Sequence, residues 1–319
     1  MRSVAFVALA VSLGCSTPPA PPAPVAPDPT PSAEVTAVPK SVVEPAASAS
    51  AMPSAPPKAP RVFAGGGAKI SGAISCKTPG DTASVAKALK AAGNAPAVQL
   101  VLAVPPGADC SLPEQTGVDA AFLILDGGTS ALPVGEKSTW LGGWEAMLAP
   151  GVGVRFSSRT TGATILAVVA TRDAKPLAST IAAAKPWQER PGAVSKVSLL
   201  KSESLSWGAD AFEARIAFGA PESPTISLEL LSIEAGAAIP EHEHTEWELL
   251  SVLSGGGSMR VGGAERTLSA GEQIAIPAKT KHAFNAGTAR TVVVQSYAPA
   301  GAEQRFKKLS ADAATPLTK

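Results

Sequence analysis

The chain has 319 residues, of which 45% are hydrophobic and 17% are charged, and its formal net charge is +1. This apolar content is enough for a substantial core, whereas the low net charge, without a run of Lys or Arg, gives no electrostatic basis for binding DNA or RNA. We therefore expect a globular part with no nucleic-acid partner.

The first residues have the pattern of an export signal. Arg2 precedes an apolar stretch at residues 4–13, which is too short to span a bilayer, and Gly14 and Cys15 follow it. Residues 1–15 resemble a bacterial lipoprotein signal, and the resemblance implies cleavage before Cys15 and lipidation of that cysteine. The alternative is an ordinary secretory signal with an incidental cysteine. We expect an exported protein, either an outer-membrane lipoprotein held by its lipid alone or a periplasmic protein.

Residues 16–61 differ in composition from the rest of the chain. They are rich in Pro, Ala and Ser and contain fourteen of the thirty prolines. Such a segment cannot bury enough apolar surface to offset the entropy of the chain, so we predict a disordered linker.

Short strands separated by Gly and Pro are predicted from residue 62 onward. In the first half, the predicted elements are strands at 69–76, 97–104, 120–125, 138–141, 153–157 and 164–171, and helices at 81–92 and 176–184. In the second half, they are strands at 225–234, 248–253, 258–261, 273–276 and 291–297, and a helix at 303–309. Many short strands with this punctuation favour a β-sandwich or barrel.

The two halves repeat each other at a nearly constant offset of 127 to 129 residues. Gly107 corresponds to Gly236, Gly127 to Gly255, Pro150 to Pro277, and Thr164 to Thr291. We therefore predict an all-β chain with two tandem barrels, the first at residues 62–190 and the second at 191–319.

Two cysteines remain after Cys15. Cys76 and Cys110 are an even pair, and an oxidising compartment would allow them to form a disulfide. Two buried thiols are the alternative.

All three histidines of the chain lie in one region of the second half. His242 and His244 are two residues apart, Glu248 follows, and His282 comes later. Residues two apart on a strand point to the same face, so two imidazoles can project together with a carboxylate nearby. Three neutral imidazoles and a carboxylate suit one divalent transition metal, which could be Fe, Mn, Zn, Ni, Cu or Co.

The same residues resemble the two motifs of the cupin superfamily. The run from Gly236 to Gly255 has the spacing of the first motif, and Gly271 to Pro277 with His282 resembles the second. Lys279 stands where the second motif has glycine, and the closing asparagine is Asn285, one residue early.

The resemblance implies jelly-roll barrels of the double-stranded β-helix type, with His242, His244, Glu248 and His282 as metal ligands in the second one. At the matching positions, the first half has Glu114, Thr116, Ala120 and Arg155. It can therefore not hold the same metal, and we expect it to pack structurally against the second barrel, with ligand binding by Arg155 as the lesser alternative.

The ligand set predicts where a metal would bind, but it does not select one reaction. The first hypothesis is a metal-dependent enzyme of dioxygenase, isomerase or lyase type that acts on a small organic molecule, with Gln273 and Tyr297 as candidates for lining its pocket. The second is a binding or sensing lipoprotein without turnover, and the third is a structural metal. No catalytic residue is assigned, and because cupins often pair through sheet edges, a homodimer remains open.

Overall fold

The computed structural model describes residues 73–76, 83–112, 117–133, 136–151, 153–181 and 194–314. These residues all belong to one compact unit, Val62–Lys319. The predicted signal with Cys15, the predicted linker, and the positions Glu114 and Thr116 lie outside the described residues. None of the described helices is long and apolar enough to cross a membrane.

The first barrel is built from strands linked in one hydrogen-bonded sheet with the path β1-β2-β8-β4-β6-β9. The strand β3 pairs with β7, while β5 and β7 both pair with the second part of the long strand β4. The elements are β1 (Ile74–Ser75), α1 (Ala83–Ala91), β2 (Ala97–Val104), β3 (Asp109–Leu112), β4 (Val118–Pro133), β5 (Thr139–Gly142), β6 (Glu145–Pro150), β7 (Val154–Ser157), β8 (Ala163–Thr171), α2 (Leu177–Thr180) and β9 (Ser195–Ser198).

The second barrel has two sheets, one with the order β10-β11-β12-β19-β14-β17 and one with the order β13-β18-β15-β16. A short 3₁₀ helix, Leu199–Lys201, leads into it. The elements are β10 (Leu205–Trp207), β11 (Phe212–Phe218), β12 (Leu228–Ile233), β13 (Ala238–His242), β14 (Trp247–Ser254), β15 (Gly256–Val261), β16 (Ala264–Ser269), β17 (Gln273–Ile276), β18 (His282–Ala286), β19 (Thr291–Ala298) and α3 (Gln304–Ala314).

The two barrels share one pairing scheme. In the first, β8 pairs with β2 and β4, and β3 pairs with β7; in the second, β19 pairs with β12 and β14, and β13 pairs with β18. Gly127 and Gly255 explain part of the repeat, because both have a positive φ and a Cβ at either would lie within 2.5 Å of a backbone oxygen. The predicted tandem all-β barrels of jelly-roll type are confirmed.

Apolar packing forms three clusters. One fills the first barrel around Phe122 and Phe156, and another lies between the two sheets of the second barrel around Met259 and Tyr297. The third joins the outer faces of the two barrels, where residues such as Leu123 of the first contact residues of the second. The predicted structural packing of the first barrel against the second therefore has a physical basis in a shared apolar interface.

Several predicted strands agree closely with the structure, and 97–104 and 273–276 coincide with β2 and β17. The prediction missed eight of the described strands: β3, β6, β9, β10, β11, β13, β16 and β18. The strand β9 lies beyond the predicted boundary at residue 190 yet pairs with β6 of the first barrel. The predicted domain limits themselves stay a prediction.

Cys76 and Cys110 are joined by a disulfide, with their Cα atoms 5.4 Å apart. Both residues are fully buried in the apolar cluster of the first barrel. The bond connects the residue after β1 to β3, and it encloses helix α1 and strand β2. It is thus a covalent link across the start of the first barrel.

Replacing both Cys76 and Cys110 by serine should lower the free energy of unfolding. The cysteines are 34 residues apart, and closing a loop of that length in the unfolded chain is worth about 3–4 kcal/mol. Urea unfolding of both proteins measures the difference. Reductant should destabilise the natural protein and leave the double variant unchanged, and two free thiols in the unreduced protein would contradict the disulfide.

Candidate metal centre

Four short segments bring the site residues together. His242 is the last residue of β13, His244 lies in the turn after it, Glu248 is in β14, and His282 is the first residue of β18. Antiparallel pairing of β13 with β18 places His242 directly opposite His282. The Lys279 N–H also donates to the His244 carbonyl over 2.7 Å, which ties the turn before His282 to the first pair of histidines.

The side chains converge at one point inside the second barrel. Ligand atoms of His242, His244 and His282 all lie within 4.8 Å of one another. Glu248 Oε2 lies 3.1 Å from His244 Nε2 and 2.9 Å from His282 Nε2. Glu248 and His282 are 3% and 2% exposed, so this convergence occurs away from bulk water.

The protonation of the three imidazoles is set by the backbone. Nδ1 of His242, His244 and His282 faces the carbonyl oxygens of Pro240, Glu246 and Thr280 at 2.9, 2.9 and 2.7 Å. A carbonyl oxygen only accepts, so each Nδ1 carries a proton and donates. In the neutral form every Nε2 therefore presents a lone pair, as is usual for histidines whose second nitrogen binds a metal.

The inward-facing atoms are all acceptors. His242 Nε2 and His282 Nε2 are buried and make no hydrogen bond, and the contact of His282 with Glu248 is close but not aligned as a hydrogen bond. Three nitrogen lone pairs facing a carboxylate repel one another unless a cation lies among them. The centre therefore requires a cation, either a proton or a metal ion.

The pKa shifts follow from the same arrangement. Burial alone would raise the pKa of Glu248, but its close contacts with His244 and His282 lower that pKa far below its usual value. Burial opposes protonation of His282, yet Glu248 outweighs it and raises the pKa of that imidazole. His242 lies farther from the carboxylate, and burial, together with the charge of His282, lowers its pKa.

The donor set fits a divalent transition metal. Two ligand atoms at right angles on an ion with bonds of about 2.1 Å are about 3.0 Å apart, which is close to the Glu248 distances of 2.9 and 3.1 Å. Imidazole nitrogen and carboxylate oxygen together suit Zn, Fe, Mn, Ni, Cu or Co. His242, His244, His282 and Glu248 are the residues that would hold the ion.

A second set of polar side chains holds the other oxygen of Glu248, Oε1, which does not face the histidines. Gln295 Nε2 donates to Glu248 Oε1 and, over 2.7 Å, to the Tyr297 hydroxyl, which also accepts from Arg305 over 2.6 Å. Tyr297 is fully buried, and burial, then the negative charge of Glu248, raises its pKa. Glu229 is fully buried too, and burial, then the charge of Glu303, raises its pKa.

A cavity of about 30 Å³ adjoins the metal centre. His242, Glu248, His282, Gln295 and Arg305 form its polar side. The remaining lining is apolar: Leu231, Ile233, Ile239, Leu250, Val252, Met259, Leu268, Phe284 and Val293.

Alternation along β14 directs its side chains to two opposite faces. Glu248, Leu250 and Val252 face this cavity, while Leu249 and Leu253 pack in the interface between the barrels. Gln273, which we expected as a candidate for lining the pocket, instead donates to Ser251 near that interface. Tyr297 contacts the site from behind, with its ring centroid 5.1 Å from that of His244.

The first barrel has an apolar interior at the equivalent positions. Strand pairing puts Ala120 opposite Val169, as Glu248 is opposite Tyr297, both at an offset of 128 residues. The same offset matches His282 with Val154, so the predicted match with Arg155 is wrong by one residue. Arg155 lies between the buried Val154 and Phe156 on the strand, so its side chain projects from the opposite face of the sheet and does not point into the barrel, and its Nε is buried there without a hydrogen-bond partner.

Lys279 occupies the glycine position of the second motif and adopts the left-handed conformation, with φ 59°. Glycine reaches this conformation without strain, whereas a residue with a side chain does so at a cost. The turn nevertheless forms, because Lys279 N donates to His244 and Thr280 O accepts from His282. The departure from the motif therefore leaves the position of His282 intact.

Comparisons with known proteins agree with this architecture. Residues 229–296 match the family model of the cupin domain. Three solved structures of Bacillus subtilis oxalate decarboxylase resemble the chain: a tryptophan-to-tyrosine variant, a glutamate-to-alanine variant, and the protein studied for its Mn(II) centres. Their TM-scores are 0.50, 0.51 and 0.50, their identities 17%, 16% and 16%, and the alignments cover 65%, 66% and 66% of this chain and 70% of each of theirs. No curated protein matches the sequence significantly.

Removing two of the imidazoles should abolish metal binding. The double variant His242→Ala with His244→Ala leaves Glu248 and His282, which are too few ligands to retain a transition metal during purification. Elemental analysis of the natural and variant proteins measures the metal content. Glu243→Ala is the matched control, because Glu243 lies between the two histidines and is exposed; stoichiometric metal in the double variant would show that the ligands are different.

Metal should leave as the pH falls. Imidazole binds a metal only when its Nε2 is unprotonated, so protons and metal compete for the same lone pairs. Histidine has a pKa of about 6.5, and Glu248 raises that of His282 in the metal-free protein. We therefore expect full metal content above pH ~7 and progressive loss through pH ~6, measured by elemental analysis after equilibration and desalting. Metal retained well below that range would contradict imidazole ligation.

Proposed function

We propose that this chain, whose residues 229–296 match the family model of the cupin domain, is an exported metal-dependent enzyme of dioxygenase, isomerase or lyase type that acts on a small organic molecule. The observation that carries the proposal is the convergence of three imidazoles and one carboxylate beside a cavity, with Nε2 of His242 and of His282 buried and without a hydrogen-bond partner. Four protein ligands leave open positions on an octahedral ion, and a bound substrate would occupy them.

The protein's own residues would prepare the site for chemistry. Nδ1 donation to the backbone fixes the orientation of all three imidazoles, and Gln295 fixes that of Glu248. The apolar side chains that line the cavity, among them Leu231 and Phe284, would limit the access of water to the ion and so strengthen electrostatic interactions there. When bound, a divalent transition metal would supply Lewis-acid or oxygen-activating chemistry.

The cavity argues for an open site over a structural one. A structural metal is enclosed by its protein ligands, whereas a catalytic metal keeps a position free for substrate. Here His242, Glu248 and His282 all line the cavity, so a small molecule could reach an ion that they hold. The cavity equally suits a protein that binds a small ligand without turnover, which is the alternative function.

Export is part of the same proposal. The signal-like residues 1–15 favour it, and the disulfide between Cys76 and Cys110 is typical of proteins that fold in an oxidising compartment. Within this proposal Cys15 carries a lipid and anchors an outer-membrane lipoprotein. Mass spectrometry of the N-terminal peptide distinguishes a lipidated Cys15 from plain cleavage.

Reloading the metal-stripped full chain with Mn, Fe, Zn, Ni, Cu or Co in turn should restore turnover of a phenol, sugar or organic acid with at least one of the ions. Glu248→Gln keeps the shape of the side chain but removes its charge, and we expect a loss of about 100-fold or more in activity. Glu243→Gln, the same change at an exposed site, should have little effect.

The outcomes separate the candidate functions. Metal binding with capture of a small molecule but without turnover would favour the binding protein over the enzyme. Absence of metal from a correctly folded protein under all loading conditions would contradict both. Spectroscopic detection of water on the bound ion would count against a closed structural site.

A further inference from the structure

Arg305 brings a positive charge to the cavity beside the metal centre. It lies near the start of α3, outside both motif regions, and its half-buried side chain lines the same cavity as His242 and His282. Phe306, the next residue, stacks on Trp207 with ring centroids 5.3 Å apart, which holds this end of the helix against the barrel. The helix therefore delivers a guanidinium group to a site otherwise built from strands.

Glu303 fixes the position of this part of the chain. Its fully buried carboxylate accepts from the Ala220 N–H over 2.7 Å and from the Gly301 N–H over 2.6 Å. These bonds join the start of α3 to the loop after β11. Arg305 is thus presented by an anchored backbone.

Most of the hydrogen-bonding capacity of Arg305 is unused. It donates one hydrogen bond, to the Tyr297 hydroxyl, and its guanidinium carbon lies 5.5 Å from the Tyr297 ring and 5.2 Å from the Phe306 ring. A guanidinium has five N–H donors. Among the residues that the structure describes, no carboxylate forms an ion pair with Arg305. Tyr297 does not neutralise it, because the phenol is uncharged.

A half-buried guanidinium without a counter-ion is costly unless an anion binds to it. Guanidinium pairs best with planar oxygen anions, through two parallel N–H···O bonds to a carboxylate. With a divalent ion held by one carboxylate and three neutral imidazoles, the cavity would be positive on both its metal side and its Arg305 side. Both sides therefore favour an anionic ligand with oxygen atoms at each end.

The size of the cavity limits that ligand. About 10–15 Å³ of such space holds one water, so the observed 30 Å³ accommodates only a few heavy atoms. Apart from Glu248, which faces the metal position, the lining offers no carboxylate that could pair with Arg305. We propose that Arg305 is a substrate-binding residue that pairs with the carboxylate of one of the smallest organic acids, of about two or three carbons; this rests on the proposed function and names its substrate class.

Isothermal titration of acetate, glycolate, oxalate and malonate into the full chain tests this, both with metal and after stripping. Arg305→Gln should weaken acid binding about 10- to 100-fold, while the metal content stays the same and binding of the uncharged malonamide does not change. Lys308→Gln is the matched control, because it removes an exposed charge from the same helix and should leave acid binding unaltered.

Unchanged acid binding by folded Arg305→Gln, or an equal loss in Lys308→Gln, would overturn the role of Arg305. Natural protein that binds metal but none of these acids would overturn it as well, while leaving the proposed metal enzyme standing. Natural protein that holds no metal but binds acids through Arg305 would instead contradict the proposed function.

A crystal structure with malonate keeps the test decisive if Arg305→Gln does not fold. We expect a malonate carboxylate within about 3.2 Å of the guanidinium nitrogens. Malonate bound at another place, with Arg305 unoccupied, would overturn the inference.

Discussion

Mutual repulsion among acceptor atoms is the constraint on which the metal centre depends. Three Nδ1–H groups are committed to backbone carbonyls, so three Nε2 lone pairs and the Glu248 carboxylate face each other in a buried space. Hydrogen bonding among these groups alone cannot satisfy them, and Nε2 of His242 and of His282 has no partner. A cation is the one species that turns this repulsion into attraction, and the histidine–carboxylate distances suit a metal ion as that cation.

The two barrels show how one fold carries two different interiors. The first places alanine and valine at the positions of Glu248 and His282 and is closed by apolar packing and a disulfide. Its outer face then packs on the second barrel, where Gln99 also reaches across to Ser251 and the Leu249 carbonyl. The first barrel therefore supports the sheet that carries Glu248, because Leu249 and Ser251 lie on the same strand as Glu248 and point to the opposite face, toward the first barrel.

Sequence reasoning was most successful where side-chain periodicity and turn residues coincide. The ligands and β14 were predictable because His242, His244 and Glu248 fall at the spacing of a known motif, and because apolar residues alternate along β14. The match of Arg155 with His282 failed by one residue, since the offset between the halves varies and a slip of one position reverses the face of a strand. Gln295 could have been found from its spacing of two to Tyr297, a residue already expected near the pocket.

By itself, the sequence determined the tandem all-β architecture and the four candidate ligands, because strand alternation and close motif spacing are local properties of the chain. It did not determine which hydrogen-bond partner fixes each imidazole, which polar residues stand behind Glu248, or that Arg305 lines the cavity. Those features depend on how α3 docks through Phe306 and Glu303 and on how strands distant in sequence pair. Only tertiary packing brings together groups that are far apart along the chain, and their charges interact only once they are buried side by side.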